Sequence, residues 1–298
     1  MDYEACHPAK IVRYRDPAEM AAAYPASAVH YESHGVVVLE DCGIGFDREF
    51  IGGLSFAPSW KKIGTINGLT DPPLVMRSGK LVRTANPLCA SMRDDVLLLK
   101  LYSELLRLEL EFKLLVARVL PGYWDATWGN CTFRFTRTEN EAIHLDSFQD
   151  GKPTPPKFHR PRLKLFLNVD AEPRVWNVGP TLPDLLRLSE GELGAELPTN
   201  VNVLCARINA SGILSKVRTV RVEIPPRGIV FANGATVVHQ VVYGNRMVCL
   251  EGLAPKSALQ PSSICEWDAA RSWIEEAGYA AAPDEAPAAT SGHGVAAA

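Results

Sequence analysis

The sequence predicts a mainly β protein with flanking helices, in which short strands form a sandwich or barrel of the jelly-roll kind. The first observation is a succession of short alternating segments between residues 123 and 256, with Gly, Pro or Asn between most of them. The second is a long preceding segment whose apolar residues recur at steps of three and four, the period of an α-helix. The third is a pair of histidines and an aspartate in strand-like segments. Together they indicate a β core with a helix packed on its outside.

The N-terminal part, residues 1–122, is predicted to be an α/β extension of that core. A helix is expected around Pro17–Ala23, and a buried strand at Gly35–Leu39, where apolar β-branched residues form a continuous run. The stretch from Ile63 to Val82 contains Gly, Asn, Asp and two prolines, so it is predicted to be mostly loop.

A long amphipathic helix is predicted over Arg93–Leu120. Ser91 is the expected N-cap, because a serine hydroxyl can accept a hydrogen bond from the free N–H groups of the first turn. Pro121 followed by Gly122 is expected to end the helix.

The core that follows is predicted to consist of strands with two helices beside them. The predicted strands are Cys131–Thr136, Arg162–Leu167, Val201–Arg207, Val217–Ile224, Gly228–Phe231, Thr236–Val242 and Arg246–Leu250. Helices are expected near Thr181–Leu188 and at Trp267–Ala277.

The organisation predicted from these elements is a single domain over residues 1–280. Its jelly-roll core spans 123–256, and a C-terminal helix lies within 265–279. The tail, 281–298, is rich in Ala, Pro and Gly without periodicity, so it is expected to be disordered.

The composition is that of an ordinary globular protein, with 47% hydrophobic residues and a formal net charge of −3. This charge gives no basic surface for a nucleic acid, and no apolar run of about 18 residues could cross a bilayer. The seven cysteines are scattered without a CxxC pair, which is typical of reduced thiols. Since the N-terminus also lacks a secretory signal pattern, we expect a cytoplasmic protein, and the oligomeric state stays open.

The motif with the clearest chemistry is His144-Leu145-Asp146, followed at a distance by His239. In a strand, alternate side chains lie on one face, so His144 and Asp146 are expected to project together. His239 lies in the apolar segment Val237–Val242, a predicted strand that can bring a third ligand. Two imidazoles and one carboxylate that leave half of an octahedron free form the facial triad of non-haem Fe(II) oxygenases. These three residues are therefore the predicted iron(II) ligands.

Other interpretations of the histidines and of the fold stay open. The remaining histidines lie in loops, tails or ambiguous segments and are expected to be structural or exposed: His7, His30, His34, His159 and His293. No Walker loop, GxGxxG loop in a suitable setting or GxSxG elbow is present. A cupin that binds metal without oxygen chemistry, and a barrel used only for binding, are the alternatives.

An Fe(II) site of this type is expected to use 2-oxoglutarate and O₂ as co-substrates. The distal C5 carboxylate of oxoglutarate needs a cation, which an arginine fork or a lysine provides. The candidates are Arg134, Arg162, Lys164 and Arg174. Arg162 and Lys164 share one face of a strand, so they face either solvent or the polar mouth of the barrel. Arg246, beside a Gly-Asn turn, and Tyr243 are expected to contact the substrate.

Several longer segments carry a family resemblance. They are RVLPGYWDATWGNCTFRF at Arg118–Phe135, IHLDSF at Ile143–Phe148, RPRLKLFLNVD at Arg160–Asp170, PRVWNVG at Pro173–Gly179, and VVHQVVYG with VCLEGL near the end. From Gly35 to about Pro255 the chain resembles the Kdo hydroxylase family of Fe(II)/2-oxoglutarate-dependent dioxygenases.

This resemblance implies a cupin-like double-stranded β-helix in which the His-Asp-His motif described above holds the iron. It also implies that Arg134, Arg162 and Arg174 include the clamps for the carboxylates of the co-substrate or substrate. Two segments depart from the family pattern, FQDGKPTPPKFH at Phe148–His159 and the acidic Glu190–Glu196.

Loops at the mouth of a barrel select the substrate, so a shared metal triad does not transfer specificity. We therefore expect an oxygenase that hydroxylates, or otherwise oxidises, a C–H bond of a small polar substrate with a carboxylate group. Oxidative cyclisation or desaturation of an amino acid in secondary metabolism is one alternative, and modification of protein side chains is another. A non-catalytic metal-binding β-barrel is the alternative outside enzymes.

Overall fold

The computed structural model describes residues 7–54, 63–66, 72–86, 88–134, 137–148, 151–189 and 191–282. These residues are mostly β, with several sheets and a few helices, as the sequence predicts. Among the described helices, none has both the length and the apolarity needed to cross a membrane. The cytoplasmic location stays a prediction.

Fifteen strands, β1 to β15 in chain order, lie in the described residues: Ile11–Tyr14, Val36–Leu39, Ile63–Ile66, Leu74–Arg77, Lys80–Arg83, Thr127–Arg134, Thr138–Glu139, Arg162–Asn168, Arg174–Thr181, Glu196–Pro198, Val220–Ile224, Ile229–Phe231, Val237–Gly244, Met247–Leu253 and Ala280–Ala282. Eight α-helices, α1 to α8, lie in the same residues: Pro17–Ala22, Ala26–Glu32, Arg48–Gly53, Leu88–Ser91, Asp95–Val119, Leu182–Ser189, Val201–Ser211 and Glu266–Glu276.

Two larger sheets form the centre of the fold. The first has the strand order β1-β2-β12-β8-β14-β6-β3, and the second has the order β11-β9-β13-β7. All neighbouring pairs in these sheets are antiparallel except β1 with β2. From β6 to β9, and again from β11 to β14, successive strands alternate between the two sheets. Each crossing brings residues that are distant in sequence to facing positions.

Three apolar clusters fill the spaces around these sheets. Phe166 of β8, Trp176 of β9 and Val241 of β13 belong to the cluster between the sheets. The leucines on the other face of β8, such as Leu165, pack with Phe112 of α5. The third cluster joins α6, α7 and α8 to the outer face of β13. The inner face of β8 therefore looks into the space between the two sheets, and its outer face is covered by a helix.

The long helix α5 confirms the prediction at Arg93–Leu120, although its N-cap is different. Asp94 caps it, since its Oδ1 accepts from the N–H groups of Val96 at 2.8 Å and Leu97 at 3.0 Å. Ser91 is wrong as the N-cap, because it is the last residue of the short helix α4. An aspartate at this position also adds a negative charge at the positive end of the helix dipole.

The prediction of a strand at Val201–Arg207 is wrong, because this segment begins α7. The Val-Asn-Val alternation is typical of a strand, but the buried Val201, Leu204 and Ile208 lie at helical spacing. Gly212 ends the helix with a φ of 79°, a left-handed conformation that glycine adopts without steric cost.

Two further predictions need correction. The segment predicted as mostly loop contains β3, β4 and β5, and the last two pair as a hairpin around Gly79, whose φ is 74°; residues 67–71 lie outside the described part. In the tail predicted to be disordered, Ala281 and Ala282 belong to β15, which pairs with β10. Residues 283–298, including His293, lie outside the described residues.

The other predicted helices and strands are confirmed with shifted ends. The strand β9 was not predicted, because its segment contains Gly179 and Pro180, which interrupt a strand pattern. The six described cysteines are free and five are buried, as expected for reduced thiols in the core.

Candidate metal centre and the adjoining cavity

The three predicted metal ligands are brought together by backbone pairing. His144 and His239 form an isolated antiparallel bridge, in which the N–H of each residue donates to the carbonyl of the other at 2.9 Å. The Asp146 N–H donates to the carbonyl of Gly234 at 2.7 Å. The HxD segment is thus fastened to β13 and to the turn before it.

The donor atoms of the three side chains converge to within 4.8 Å of one another. The Nδ1 atoms of both histidines lie against backbone carbonyls, His144 against Ala142 at 2.7 Å and His239 against Val237 at 3.0 Å. Because a carbonyl can only accept, each Nδ1 carries the proton, which leaves the Nε2 lone pair for a metal. Two imidazole nitrogens and one carboxylate suit Fe(II), so the residues fit the expected ion.

The charges around the triad favour the ligand forms of these groups. Burial alone raises the pKa of Asp146, but the charge of Lys164 and the adjacent histidines outweigh it and hold that pKa well below its usual range. The Lys164 Nζ donates to Asp146 Oδ2 at 2.5 Å. Burial lowers the pKa of His239 to about 4, so its imidazole is neutral at physiological pH.

Gly234 leaves the space that the triad occupies. A Cβ at this position would collide with the carboxylate of Asp146 and lie 2.9 Å from Cε1 of His239. Any larger residue there would displace two of the three ligands.

The HxD segment is also held by α7, which sequence reasoning missed. Asn209 accepts from the N–H of Leu145 at 2.9 Å and donates to its carbonyl at 2.8 Å. Leu145 lies between the two ligands, so one amide side chain acts here as a neighbouring strand would. The signal was present in the helical spacing of this segment, but the strand prediction concealed it.

Two more asparagines fasten the segment that follows. Asn202 accepts from the N–H of Phe148 at 2.6 Å and donates to the carbonyls of Phe148 at 2.8 Å and Lys152 at 2.7 Å. Asn200 accepts from the N–H of Thr154 at 3.2 Å and donates to its carbonyl at 3.0 Å. We call Asn200, Asn202 and Asn209 the asparagine clamps.

The triad opens into a cavity of about 360 Å³, the metal cavity. Residues of both larger sheets and of the HxD segment line it: Thr132, Arg134, Glu141, His144, Asp146, Ser147, Phe148, Lys164, Phe166, Arg174, Trp176, His239, Val241, Met247, Cys249 and Glu251. Its polar interior contains both the candidate ligands and several cations.

Arg174 is the cation that stands out in the metal cavity. It is only 1% exposed, and none of its three guanidinium nitrogens has a hydrogen-bond partner among the described residues. Burial, followed by the charge of Arg134, lowers its pKa to about 10, so it is still charged at neutral pH. Gly244 makes room for it, because a Cβ there would collide with the guanidinium. A buried, unpaired cation is costly unless an anion meets it.

The other predicted site residues lie in different surroundings. Arg134 lines the metal cavity with Nη1 3.7 Å from Oε2 of Glu141. Arg246 donates from Nη2 to the carbonyl of Leu54 at 3.3 Å. Neither Arg246 nor Tyr243 lines the metal cavity. A register shift in β13 between Val241 and Tyr243 changes the face on which Tyr243 lies.

A second cavity, of about 580 Å³, adjoins the metal cavity. Phe148 and Glu251 line both cavities and so form the boundary between them. Of these two cavities, Arg162 lines only the second, which is bounded by the ends of β6 and β14 on one side and by the clamped segment 151–158 on the other.

The described fold is similar to solved structures of a Kdo hydroxylase. The Kdo hydroxylase KdoO, a non-haem Fe(II) α-ketoglutarate-dependent dioxygenase in complex with α-ketoglutarate and Fe(III), matches with a TM-score of 0.62 at 16% identity, over 84% of this chain and 91% of that chain. Its apo structure matches with a TM-score of 0.61 at 15% identity, and its cobalt(II) complex with 0.61 at 16%, each over 84% of this chain and 91% of that chain. This chain has the fold of KdoO.

The resemblance to Kdo hydroxylases that the sequence predicts is therefore confirmed at the level of the fold. Within this KdoO-like fold, the His-Asp-His cluster and Arg174 face the same space between the two larger sheets. No family model matches the sequence, and no curated protein is significantly similar to it.

Proposed function

We propose that this protein is an Fe(II)/2-oxoglutarate-dependent dioxygenase that oxidises a C–H bond of a small polar substrate bearing a carboxylate. The observation that carries the proposal is the convergence of His144, Asp146 and His239 in a cavity that also contains the unpaired guanidinium of Arg174. The first group of residues can hold the metal, and Arg174 can hold the co-substrate.

The metal would be held by the Nε2 atoms of the two histidines and by Asp146. Lys164 holds Oδ2 of Asp146, so Oδ1, which lies 3.8 Å from the His144 Nε2, is the oxygen left for the ion. When bound, iron, oxoglutarate and O₂ supply the oxidising chemistry for the substrate C–H bond. Lys164 is thus assigned to the ligand carboxylate rather than to oxoglutarate, for which it was one of four candidates.

Arg174 would bind the C5 carboxylate of oxoglutarate. Its planar fork matches a carboxylate in bidentate fashion, and both groups are desolvated in the cavity, which strengthens the contact. Arg134 is the second candidate, but Glu141 already lies near it. The anion would also remove the cost of a buried, unpaired charge.

The walls of the metal cavity would keep water from the reacting centre. Trp176 is 2% exposed and stacks on His239, with ring centroids 5.4 Å apart, and Phe166 packs against Trp176. Excluding water limits side reactions and strengthens the electrostatic contacts inside the cavity.

We also propose that the two larger sheets form a cupin-like jelly roll, or double-stranded β-helix. The alternation of successive strands between the sheets supports this. The division into an extension at 1–122, a core at 123–256 and a C-terminal helix within 265–279 is proposed with it, as parts of one oxygenase domain. Hydroxylation, as opposed to cyclisation or desaturation, stays a prediction.

The test is the formation of succinate from oxoglutarate. Wild-type protein with Fe(II), oxoglutarate and O₂ is expected to form succinate, detected by NMR, and Asp146→Ala is expected to abolish it. Asp125→Ala, at an exposed carboxylate, is the matched control and should leave the rate unchanged. Metal binding without any succinate would contradict the proposal and favour the non-catalytic metal-binding barrel.

A further inference from the structure

Arg162 has a different place from the other candidate cations. It precedes Lys164 by two residues on the inner face of β8, but it lines the second cavity, and it is 9% exposed. Its Nε lies 3.1 Å from Oε1 of Glu251. Nevertheless Nε and Nη1 make no well-oriented hydrogen bond to any described residue. The second cavity thus contains a guanidinium and a carboxylate side by side, with hydrogen-bonding capacity left over.

The remaining walls of the second cavity are mainly apolar. The rings of Trp128, Phe148 and Phe158 line it. The guanidinium carbon of Arg162 lies 4.3 Å from the ring centroid of Phe148. Trp128 packs over Gly252, where a Cβ would come within 2.9 Å of the indole ring. Such a combination of flat apolar walls and a few convergent polar groups is typical of a site for a small ligand.

The charges select among the possible ligands. Oxoglutarate has one distal carboxylate, and Arg174 already meets it in the metal cavity, so Arg162 is not needed for the co-substrate. Lys152 also lines the second cavity, but it is exposed, so water and salt screen its charge. At the buried Arg162, a ligand with only an anion would gain that cation but be repelled by Glu251, and a dianionic phosphate would be repelled more strongly. A ligand with only an ammonium group would meet the opposite conflict. A carboxylate and an ammonium on one carbon satisfy both residues at once.

We propose that the second cavity binds the primary substrate, and that this substrate is an α-amino acid with an apolar side chain. Its carboxylate is held by Arg162, its ammonium group by Glu251, and its side chain lies against the aromatic walls. This inference rests on the proposed function, which fills the metal cavity with oxoglutarate. Since Arg162 and Lys164 are two positions apart on a strand, their α-carbons are separated by about 6.7 Å, which brings an anchored amino acid next to the metal cavity.

The direct test compares ligands that share one carbon skeleton and differ in whether they carry the amino group, the carboxylate or both. The affinities of L-phenylalanine, 3-phenylpropionate and phenethylamine are measured by isothermal titration calorimetry, and the same is done for L-leucine, 4-methylpentanoate and isopentylamine. Measurements are made on metal-free protein and repeated with cobalt(II) and oxoglutarate. At least one amino acid is expected to bind roughly tenfold tighter than both of its analogues, the effect of one charge-assisted hydrogen bond. If neither amino acid exceeds its two analogues in either state, the inference is overturned.

Substitutions then identify the two anchors. Arg162→Gln is expected to reduce the affinity for the amino acid to that of the amine, and Glu251→Gln to that of the carboxylic acid. Arg187→Gln is the control, because Arg187 is an exposed residue of α6 that does not line the cavity. Circular dichroism checks the fold of each variant, and the ligand comparison in wild-type protein tests the inference without any substitution. Unchanged ligand ranking in both folded variants would contradict it.

The inference and the proposed function fail in different ways. Succinate formation without preferential binding of an amino acid would overturn the inference alone. Preferential binding of an amino acid without succinate formation under any condition would overturn the dioxygenase and leave an amino-acid-binding cavity.

Discussion

The two cavities that meet at Phe148 are built in different ways. In the metal cavity, Arg174, Trp176 and His239 all lie on strands whose backbones are paired within a sheet. The second cavity is bounded on one side by the segment 151–158, which belongs to no sheet and is held by the amide side chains of Asn200 and Asn202. The walls of the metal cavity are therefore fixed by strand pairing, whereas one wall of the second cavity is a segment whose sequence is not constrained by pairing in a sheet.

The two cavities also differ in the charged side chains that line them. Arg174 has no hydrogen-bond partner in the described part of the chain and has a neighbouring cation, Arg134, so it suits a ligand with an unbalanced negative charge. Arg162 has Glu251 beside it, so it is prepared for a ligand that is neutral as a whole. On the proposed function, this difference separates reaction chemistry from substrate recognition, with strands carrying the former and a clamped segment carrying much of the latter.

The largest effect is expected for Arg174→Gln. The variant loses two charge-assisted hydrogen bonds to oxoglutarate, so its KM for oxoglutarate should rise by roughly 100-fold or more. Its stability without ligand should not fall, because an unpaired buried cation has been removed. Steady-state succinate kinetics and thermal unfolding with and without oxoglutarate measure both effects.

The control for that prediction is Arg187→Gln, at an exposed ion pair on α6. It should change neither the KM for oxoglutarate nor the stabilisation by oxoglutarate. If Arg162→Gln, and not Arg174→Gln, raised the KM for oxoglutarate, the two cavities would have to exchange their roles.

The next largest effect is expected for substitutions of the asparagine clamps. Each clamp holds a different part of the chain that follows His144, so the substitutions should affect different ligands. Asn209→Ala releases Leu145 between two ligands and should weaken cobalt(II) binding by roughly tenfold or more, as for the loss of other groups that orient ligands. Asn200→Ala should leave metal affinity unchanged and weaken amino-acid binding instead. Calorimetric titration with each ligand distinguishes the two.

Asn209→Asp refines this test. It keeps an acceptor for the N–H of Leu145 but loses the donor for its carbonyl, so metal affinity should lie between those of the wild type and Asn209→Ala. Equal metal affinities in Asn200→Ala and Asn209→Ala would show that the clamps do not act separately on the two cavities.

Two glycines offer a smaller and symmetrical test. In Gly244→Ala the new Cβ displaces the guanidinium of Arg174, and the KM for oxoglutarate should rise by roughly tenfold, as expected for overpacking of a buried site. In Gly252→Ala the new Cβ meets Trp128, so amino-acid affinity should fall while the KM for oxoglutarate stays unchanged. If both variants raised the KM for oxoglutarate, the proposed separation of roles between the two cavities would be wrong.

The smallest effect concerns Glu266, a buried carboxylate near Arg162. Burial raises its pKa, although Arg162 acts in the opposite direction. A raised folded-state pKa means that its contribution to stability is present at low pH and is lost as the pH rises through that pKa. Relative to the wild type, Glu266→Gln keeps the contact with Asn233 and should raise the melting temperature more at about pH 8 than at about pH 4, which lies below the ordinary pKa of a glutamate. Equal shifts at both pH values would contradict this.

The sequence predicts the metal centre better than the anion sites, for a physical reason. The ligand types and the spacing of His144 and Asp146 are local, and the pairing of His239 follows from its strand. By contrast, the proposed choice of Arg174 over Lys164 depends on which cation is buried without a partner among the described residues, and that is visible only in the tertiary structure. A bulge in β13 likewise turned Tyr243 away from the expected place.

The error at α7 had the largest consequence for the site. The alternation of Val201, Asn202 and Val203 suggests a strand, which gives Asn202 no evident role. In the structure, Asn202 and Asn209 of α7, and Asn200 directly before it, bind the backbone of Phe148, Leu145 and Thr154. Local propensity was overridden here by the helical spacing of the buried residues.

The clamps also suggest how this scaffold could be redesigned. Asparagine side chains of a helix bind the main-chain groups of the connecting segment, so the segment's own side chains are not needed to hold its backbone in place. Its sequence could be exchanged for others of equal length while its course is preserved. On the proposed function, grafting such replacements offers a route to new substrate selectivity with an unchanged metal centre.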